Sequence, residues 1–503
     1  MTPSLLLQGI GYPVLSVLVC LPLAGAGLAL FVRSAPAVRW LAVAVTLLTL
    51  GASLPLYSSF DRTLPGFQFV EHRAWLPAAQ FDYIVGVDGI SVVLVLLTTL
   101  LMPLCVLCSW REVQERVQEF VVVLLLLEAA LIGVFVSLNI VLFYLFWEGM
   151  LIPLYLLIAL WGGPARNYAS VKFFLYTFAG SIFLLFALLM LYVAAGSCSM
   201  PELLQQPLSY ELQMLVFICC TVAFAVKTPL YPLHTWLPAA HVEAPTAGSV
   251  ILAGILLKMG GYGFLRFCLG FAPAATREAA PVMMVCALAA ILIGGLLALG
   301  QQDLKRLVAY SSVAHMGFVV LGIFLLSSRG MQASVLQMIN HGISTGALFI
   351  CIGMLYERTH SRLLADNSAL GALMPRFVTL LTLCAFSSFG FPGTNGFIGE
   401  FLIIVAAFEK KWILGAGAVP GVLIAAAYML RALQKIIWAD RSPHHHPRET
   451  PPRMFSDIGL REVGILLVLV FFIILIGLQP SVVLDLTRAS VESLANRVAG
   501  AGR

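Results

Sequence analysis

Charge is what this chain has least of. Asp, Glu, Lys and Arg make up 11% of its 503 residues, against 60% apolar. With a mean hydropathy of +0.98, too little polar surface remains to cover a water-soluble domain of this length. A glycine-rich turn that would cradle a phosphate is also missing. Gly261-Tyr262-Gly263 is followed by Arg266 rather than by a further glycine, and no strand precedes it, which removes a dinucleotide fold. There is no cysteine framework either: the ten cysteines lie mostly inside apolar runs, and Cys105-x-x-Cys108 has no second pair, so both are read as packing residues. The tract His444-His445-His446 is read as a solvated loop rather than a metal site. These absences exclude soluble, nucleotide-binding and metal-centred classes.

What is present is a series of apolar runs of roughly 20 residues, each long enough to cross the hydrocarbon core as a helix. About fourteen can be counted, the first near Tyr12 and the last near Val463, and they predict an all-α polytopic membrane protein. The first run is too long for a signal h-region and no convincing cleavage site follows, so it is read as a retained helix. With the N-terminus outside, inner loops hold 17 of the 29 Lys and Arg and the outer face ten, with Lys227 and Lys258 left inside the membrane. The positive-inside bias therefore places both termini on the non-cytoplasmic side. The outer loop from Tyr57 to Asp88 fits either a short hairpin or ordered coil.

The chain is organised around Phe224 to Arg266, FAVKTPLYPLHTWLPAAHVEAPTAGSVILAGILLKMGGYGFLR, which holds Lys227, His234, His241, Glu243 and Lys258 between prolines. A lysine at mid-membrane costs at least about 2.5–3.5 kcal/mol, so it needs a partner, a cavity or a function. Pro229 and Pro232 lack a backbone donor and are expected to interrupt the helix beside Lys227. Broken helices are tolerated at membrane depth where they are buried in protein or line water. The reading is an ion-conducting site on a discontinuous helix, with Lys258 on the next helix.

Other charges fall inside apolar runs. Glu128 lies in the fourth span and Glu148 in the fifth, where a carboxylate must be either neutral by protonation or held ionised by a cation. Lys227 is the expected partner of Glu148, and separating the pair would favour release of the lysine's proton toward Lys258. His315 and His341 sit in mid-helix among Ser311, Ser312, Ser344 and Thr345, a composition suited to a proton relay. A second break is expected at FSSFGFPGTNGFIGEF, where Gly390, Pro392, Gly393 and Gly396 lead into the buried acid Glu400. Interrupted segments in corresponding positions point to two inverted five-helix repeats, spans four to eight and nine to thirteen. The chain divides accordingly into 1–117, 118–270, 271–438 and 439–503, the last comprising a cytoplasmic loop, a final helix and a short tail.

Four motifs, FWEGMLIPLYLLIALWG, VKTPLYPLHTWLPAAHVEAPTAGSVILAGILLK, QQDLKRLVAYSSVAHMG and GFPGTNGFIGEF, resemble those of the subunit M family, the antiporter-like membrane subunits of bacterial proton-pumping NADH:quinone oxidoreductase, respiratory complex I. SDIGLREV before the last span resembles it too. The resemblance runs from the fourth span to the last; the first three fit only in length and apolarity. Ala239 departs from the pattern, since the family usually has an acid there.

The resemblance implies that Glu148 and Lys227 form the coupling ion pair, Lys258 the central relay and Glu400 the exit group, with His315 and His341 along the path. It also implies no cofactor in this chain, with NAD, FMN, iron–sulfur clusters and quinone in partner subunits. The partners would be other membrane-arm subunits, sister antiporter-like subunits included, in a bacterial inner membrane. The 23 residues after Pro480 leave no room for the lateral helix of some sisters. A subunit of a multisubunit Na+/H+ antiporter shares the fold and most of these charges, and a membrane subunit of a related hydrogenase-type complex is a further alternative.

Overall fold

The computed structural model describes residues 12–76, 81–438 and 456–500. Among them, twelve helices are long and apolar enough to cross a membrane. The chain opens with α1 (Val14–Ala29) and α2 (Ala35–Ser58), then an antiparallel hairpin of β1 (Gln68–Leu76) and β2 (Phe81–Val87). There follow α3 (Gly89–Glu112), α4 (Val117–Val136), and α5 (Ile140–Gly149) with α6 (Leu151–Trp161), which together make one span. Next come α7 (Arg166–Ala195), the short α8 (Met200–Leu203), α9 (Tyr210–Lys227) and α10 (Trp236–Glu243). The span Thr246–Phe271 is built from α11 (Thr246–Ile251), α12 (Leu257–Gly263) and α13 (Leu269–Phe271), joined by π-helical turns at Leu252–Leu256 and Phe264–Cys268. Then come α14 (Pro273–Leu299), α15 (Leu304–Phe324), α16 (Ser328–Thr359), α17 (Pro375–Ser388), α18 (Asn395–Lys410), α19 (Trp412–Trp438), α20 (Leu460–Leu478) and α21 (Ser481–Gly500). Of the fourteen apolar runs, two fall outside the twelve: one is the 16-residue α1, the other is divided between α17 and α18.

Helix starts follow local chemistry. Asp88 accepts a hydrogen bond from Ser91 N at 2.9 Å, Asn139 from Val141 N at 2.9 Å and Asp303 from Arg306 N at 3.0 Å. Each spends a short polar side chain on amides that the first turn of a helix leaves without partners. The core is formed by Thr246–Phe271 and α16, whose apolar windows are wholly buried, and by α15, at 94%. By contrast α7 buries 33% of its window and turns a broad apolar face outward.

Both expected breaks are present. Helix α9 stops at Lys227 and the chain becomes helical again at Trp236. Proline at 229 and 232 offers no amide to the last turn of α9, and the Trp236 indole donates to Val226 O at 2.9 Å instead. The second break separates α17 from α18, with Gly390 at φ +78° and Gly393 at φ +89°, a region glycine enters without steric cost. Gly396 fits because a Cβ there would lie 2.0 Å from Ser387 O.

The 57–88 loop contains the hairpin, in a register running from Gln68 opposite Val87 to Leu76 opposite Phe81. Glu71 fastens it to α1 by accepting from Leu15 N at 2.8 Å. The stretch expected as a short tail is a 20-residue amphipathic helix, α21, which buries Val483, Leu486, Ser490, Val491 and Val498 against α3, α13 and α16. The His444–His446 tract lies outside the described residues.

Candidate functional site

Lys258 sits in the second position of α12, fully buried, between the two π-helical turns. A π turn widens the ring of the backbone ladder, and the ammonium bonds the Ala253 carbonyl five residues back. On its other side Lys258 Nζ is 2.6 Å from His341 Nδ1. With Lys258 charged, that contact needs a lone pair on Nδ1, so His341 is then neutral and carries its proton on Nε2. The ring of His341 is 5.7 Å from that of His315, centroid to centroid. His315 Nδ1 in turn lies 2.5 Å from Glu400 Oε1. Three helices, α12, α15 and α16, thus bring two histidines into line between a lysine and an acid on α18.

The surroundings of Glu400 are specific. Its Oε1 also accepts from Gln337 Nε2 at 3.0 Å, and Tyr428 OH is 3.3 Å from His315 Nε2. Its Oε2 has no partner and faces the second break, where a Cβ on Gly390 would lie 3.7 Å away. Beside it a hydroxyl and amide cluster holds the break together. Ser344 and Ser387 are 2.5 Å apart, Ser387 donates to Asn395 Oδ1 at 2.5 Å, and Asn340 Nδ2 donates to Asn395 O at 2.7 Å.

Lys227 is arranged differently from the expectation. It is 2% exposed, and its ammonium lies over the Trp147 ring at 5.1 Å, without a hydrogen-bond partner. The direct Glu148–Lys227 ion pair is not formed. Half-buried Glu148 follows Trp147 in α5, and it is the Trp147 ring that the ammonium faces. The elements that carry the two lysines do touch: a Cβ on Gly260 would meet Thr228 Oγ1 at 2.0 Å. Glu128 is wholly buried, and neither carboxylate oxygen has a partner.

Several polar residues in and around Phe224–Arg266 serve the backbone instead. Glu243 accepts from Ala165 N at 2.9 Å, tying α10 to the loop before α7. Lys305 donates to Ala244 O at 2.8 Å and Glu112 accepts from Thr246 N at 3.0 Å, so the junction of α10 and α11 is held from two sides. His241 stacks on Phe349 at 4.6 Å, with both ring nitrogens unpartnered. His234 lies 6.2 Å from the Tyr310 ring. Ser311 and Ser312 bond back to Val308 O rather than to the histidines, and Cys108 donates to Cys105 O.

Gln337, Asn340, Asn395 and Tyr428 were not singled out from the sequence. A signal existed for the first two, since Gln337, Asn340, His341 and Ser344 recur at helical spacing on one face of α16. Nothing in the sequence marks Tyr428, which reaches His315 from α19. Among the described residues no group of three or more His, Cys, Asp or Glu is placed to hold a metal ion.

A buried lysine–histidine–histidine–acid line across discontinuous helices invites comparison with known membrane proteins. Residues 137–425 match the family described as NADH:quinone oxidoreductase/Mrp antiporter, TM, and residues 40–134 match NADH-ubiquinone oxidoreductase chain 4, amino terminus. The chain is 42% identical over 499 residues to NADH-quinone oxidoreductase subunit M of Rhodobacter capsulatus, covering 95% of this chain and 96% of that one. It is 39% identical over 486 residues to NADH-ubiquinone oxidoreductase chain 4 of Marchantia polymorpha, covering 96% and 97%. In structure it resembles a chain of respiratory complex I from Thermus thermophilus with bound NADH, at TM-score 0.87 and 31% identity, over 96% of this chain and 99% of that one. A chain of the Mrp complex from Dietzia sp. shares the fold at TM-score 0.86 and 22% identity, over 97% and 98%. Matched along almost its whole length by such relatives, the chain belongs to the subunit M family of NADH:quinone oxidoreductase, a family of antiporter-like membrane proteins.

Proposed function

We propose that this chain is a proton-translocating membrane-arm subunit of NADH:quinone oxidoreductase, moving protons while electrons pass from NADH to quinone in partner subunits. The observation that supports this best is the series Lys258 Nζ to His341 Nδ1 at 2.6 Å, His341 to His315 at 5.7 Å between rings, and His315 Nδ1 to Glu400 Oε1 at 2.5 Å. Two of the three steps are within hydrogen-bonding reach, the distance over which a positioned side chain passes a proton. The imidazole-to-imidazole step is the longest and needs a ring flip or a bridging water.

In this reading Lys227 receives a proton at the first break and passes it toward Lys258. The proton then moves through His341 and His315 to Glu400, which releases it at the second break. Glu148 and Lys227 act as a coupling pair that engages and disengages, and the Trp147-facing lysine is the disengaged arrangement. The two breaks lie in corresponding places of two inverted five-helix repeats, 118–270 and 271–438. Both termini are on the non-cytoplasmic side, as the distribution of Lys and Arg favours. NAD, FMN, iron–sulfur clusters and quinone bind elsewhere in the complex, in partner subunits. The partners are the other membrane-arm subunits, sister antiporter-like subunits among them, in a bacterial inner membrane.

The test is Lys258→Met, which keeps an unbranched chain but cannot carry a proton. It is expected to leave the complex assembled and to reduce NADH-driven acidification by roughly two orders of magnitude. Purification with sodium-transport subunits and no redox partners would refute the complex I assignment. Pumping that survives Lys258→Met would refute the path.

A further inference from the structure

At the end of the bundle that carries the hairpin is a cavity of about 180 Å³, whose lining includes none of Lys227, Lys258, His341, His315 and Glu400. It lies between the loop entering β1, the end of the Thr246–Phe271 span, and α21. Its wall has two characters: Phe67, Leu204, Leu265 and Leu494 supply apolar surface, and Arg266 and Arg497 supply charge.

The two arginines differ in what they have left to offer. Arg266 is committed: it pairs with Asp88 at 2.8 Å, donates to Tyr262 OH and Ser91 Oγ at 3.3 Å each, and lies 5.0 Å over the Phe67 ring. Asp88 is likewise spent on Arg266 and on Ser91 N at 2.9 Å, so this pair adds no net charge. Arg497 makes one bond, to Gly270 O at 3.2 Å. No carboxylate pairs it among the described residues, and most of its five donors face the cavity or solvent.

We propose that this cavity is a phosphate site, with Arg497 as its charged ligand, and that it seats the headgroup of an anionic phospholipid. A net positive charge of one with a fork of free N–H donors matches a phosphate oxygen pair. The volume is well below the roughly 300–1,000 Å³ typical of pockets for whole small molecules, so a nucleotide does not fit while a headgroup phosphate does. The position agrees: the cavity sits where the buried span ends, against the second half of the amphipathic α21, the level at which lipid phosphates lie. Leu204 and Leu494 then meet the glycerol and upper acyl segments.

The test uses the whole complex in phosphatidylcholine nanodiscs doped with a photoactivatable phosphatidylglycerol, with labelled peptides mapped by mass spectrometry. Labelling is expected on peptides containing Leu494 and Leu204. Arg497→Gln should lower it about tenfold, the loss of one charge-assisted contact, and Arg497→Lys should keep part of it. Ser493→Glu, which places an opposing charge on the exposed rim, should lower it as well. Both positions are solvent-exposed, so folding is preserved. A second arm titrates inorganic phosphate against chloride at equal ionic strength. If phosphate alone suppresses labelling, or raises the melting temperature of the wild type but not of Arg497→Gln, phosphate recognition stands and a free anion shares or replaces the lipid. Labelling equal in wild type, Arg497→Gln and Ser493→Glu overturns the site. So does the absence of both labelling and any phosphate effect.

Discussion

Replacing His341 by phenylalanine separates proton carriage from packing. The imidazole stands between Lys258 Nζ, 2.6 Å from its Nδ1, and the His315 ring at 5.7 Å. A phenyl ring fills nearly the same volume but neither accepts from the ammonium nor passes a proton onward. Lys258 keeps the Ala253 carbonyl as a partner but loses its side-chain acceptor. Removing one member of a buried pair costs about 3–5 kcal/mol when the survivor stays charged, so the amount of assembled complex has to be measured first and matched. At matched content, positioned acid–base groups contribute roughly 10²–10⁴ in rate, and NADH-driven acidification of inverted vesicles should fall by at least the lower figure. His341→Ala opens a cavity instead, and added imidazole should restore part of the flux there and none in His341→Phe. Acidification in His341→Phe within about twofold of wild type, a change in barrier of under 1 kcal/mol, would refute the relay.

Lys227→Ala should assemble but lose most pumping and coupled quinone reduction, because a methyl group neither carries the proton nor answers Glu148; proton flux per assembled complex checks this. Glu400→Gln preserves size and the contact to Gln337 yet cannot ionise, so turnover should fall roughly a hundredfold while Glu400→Asp retains a measurable part, read as quinone reduction at matched content. Gly396→Ala drives a methyl against Ser387 O, 2.0 Å from the ideal Cβ. It should destabilise the α17–α18 break by about 1–3 kcal/mol or more, seen as a lower melting temperature of the solubilised complex.

Features that depend on neighbours in the chain were legible in the sequence. Pro229, Pro232, Gly390 and Gly393 act through their own backbone, and both breaks stand where those residues predict them. Lysines 227 and 258 stood out because an apolar run makes any charge conspicuous. Contacts between distant helices were not legible. Glu400 has no base near it in sequence, yet His315, 85 positions earlier, is its nearest partner; Lys258 and His341 are 83 apart. Which way a helix face points was not legible either. Glu148 and Trp147 are adjacent in sequence, and the rotation of α5 aims the indole rather than the carboxylate at Lys227.

The two wide turns in the Thr246–Phe271 span have a mechanical consequence. Each holds a surplus residue that ordinary helical winding would not need, stored in the middle of a bilayer-spanning rod. If one turn gives up its surplus and the other takes it on, the segment between the turns swivels about 100° around its own axis. The rod's ends stay where they are. Lys258 rides on that segment, so it can be turned toward or away from His341 like a key in a fixed lock, with neither loop nor domain having to travel.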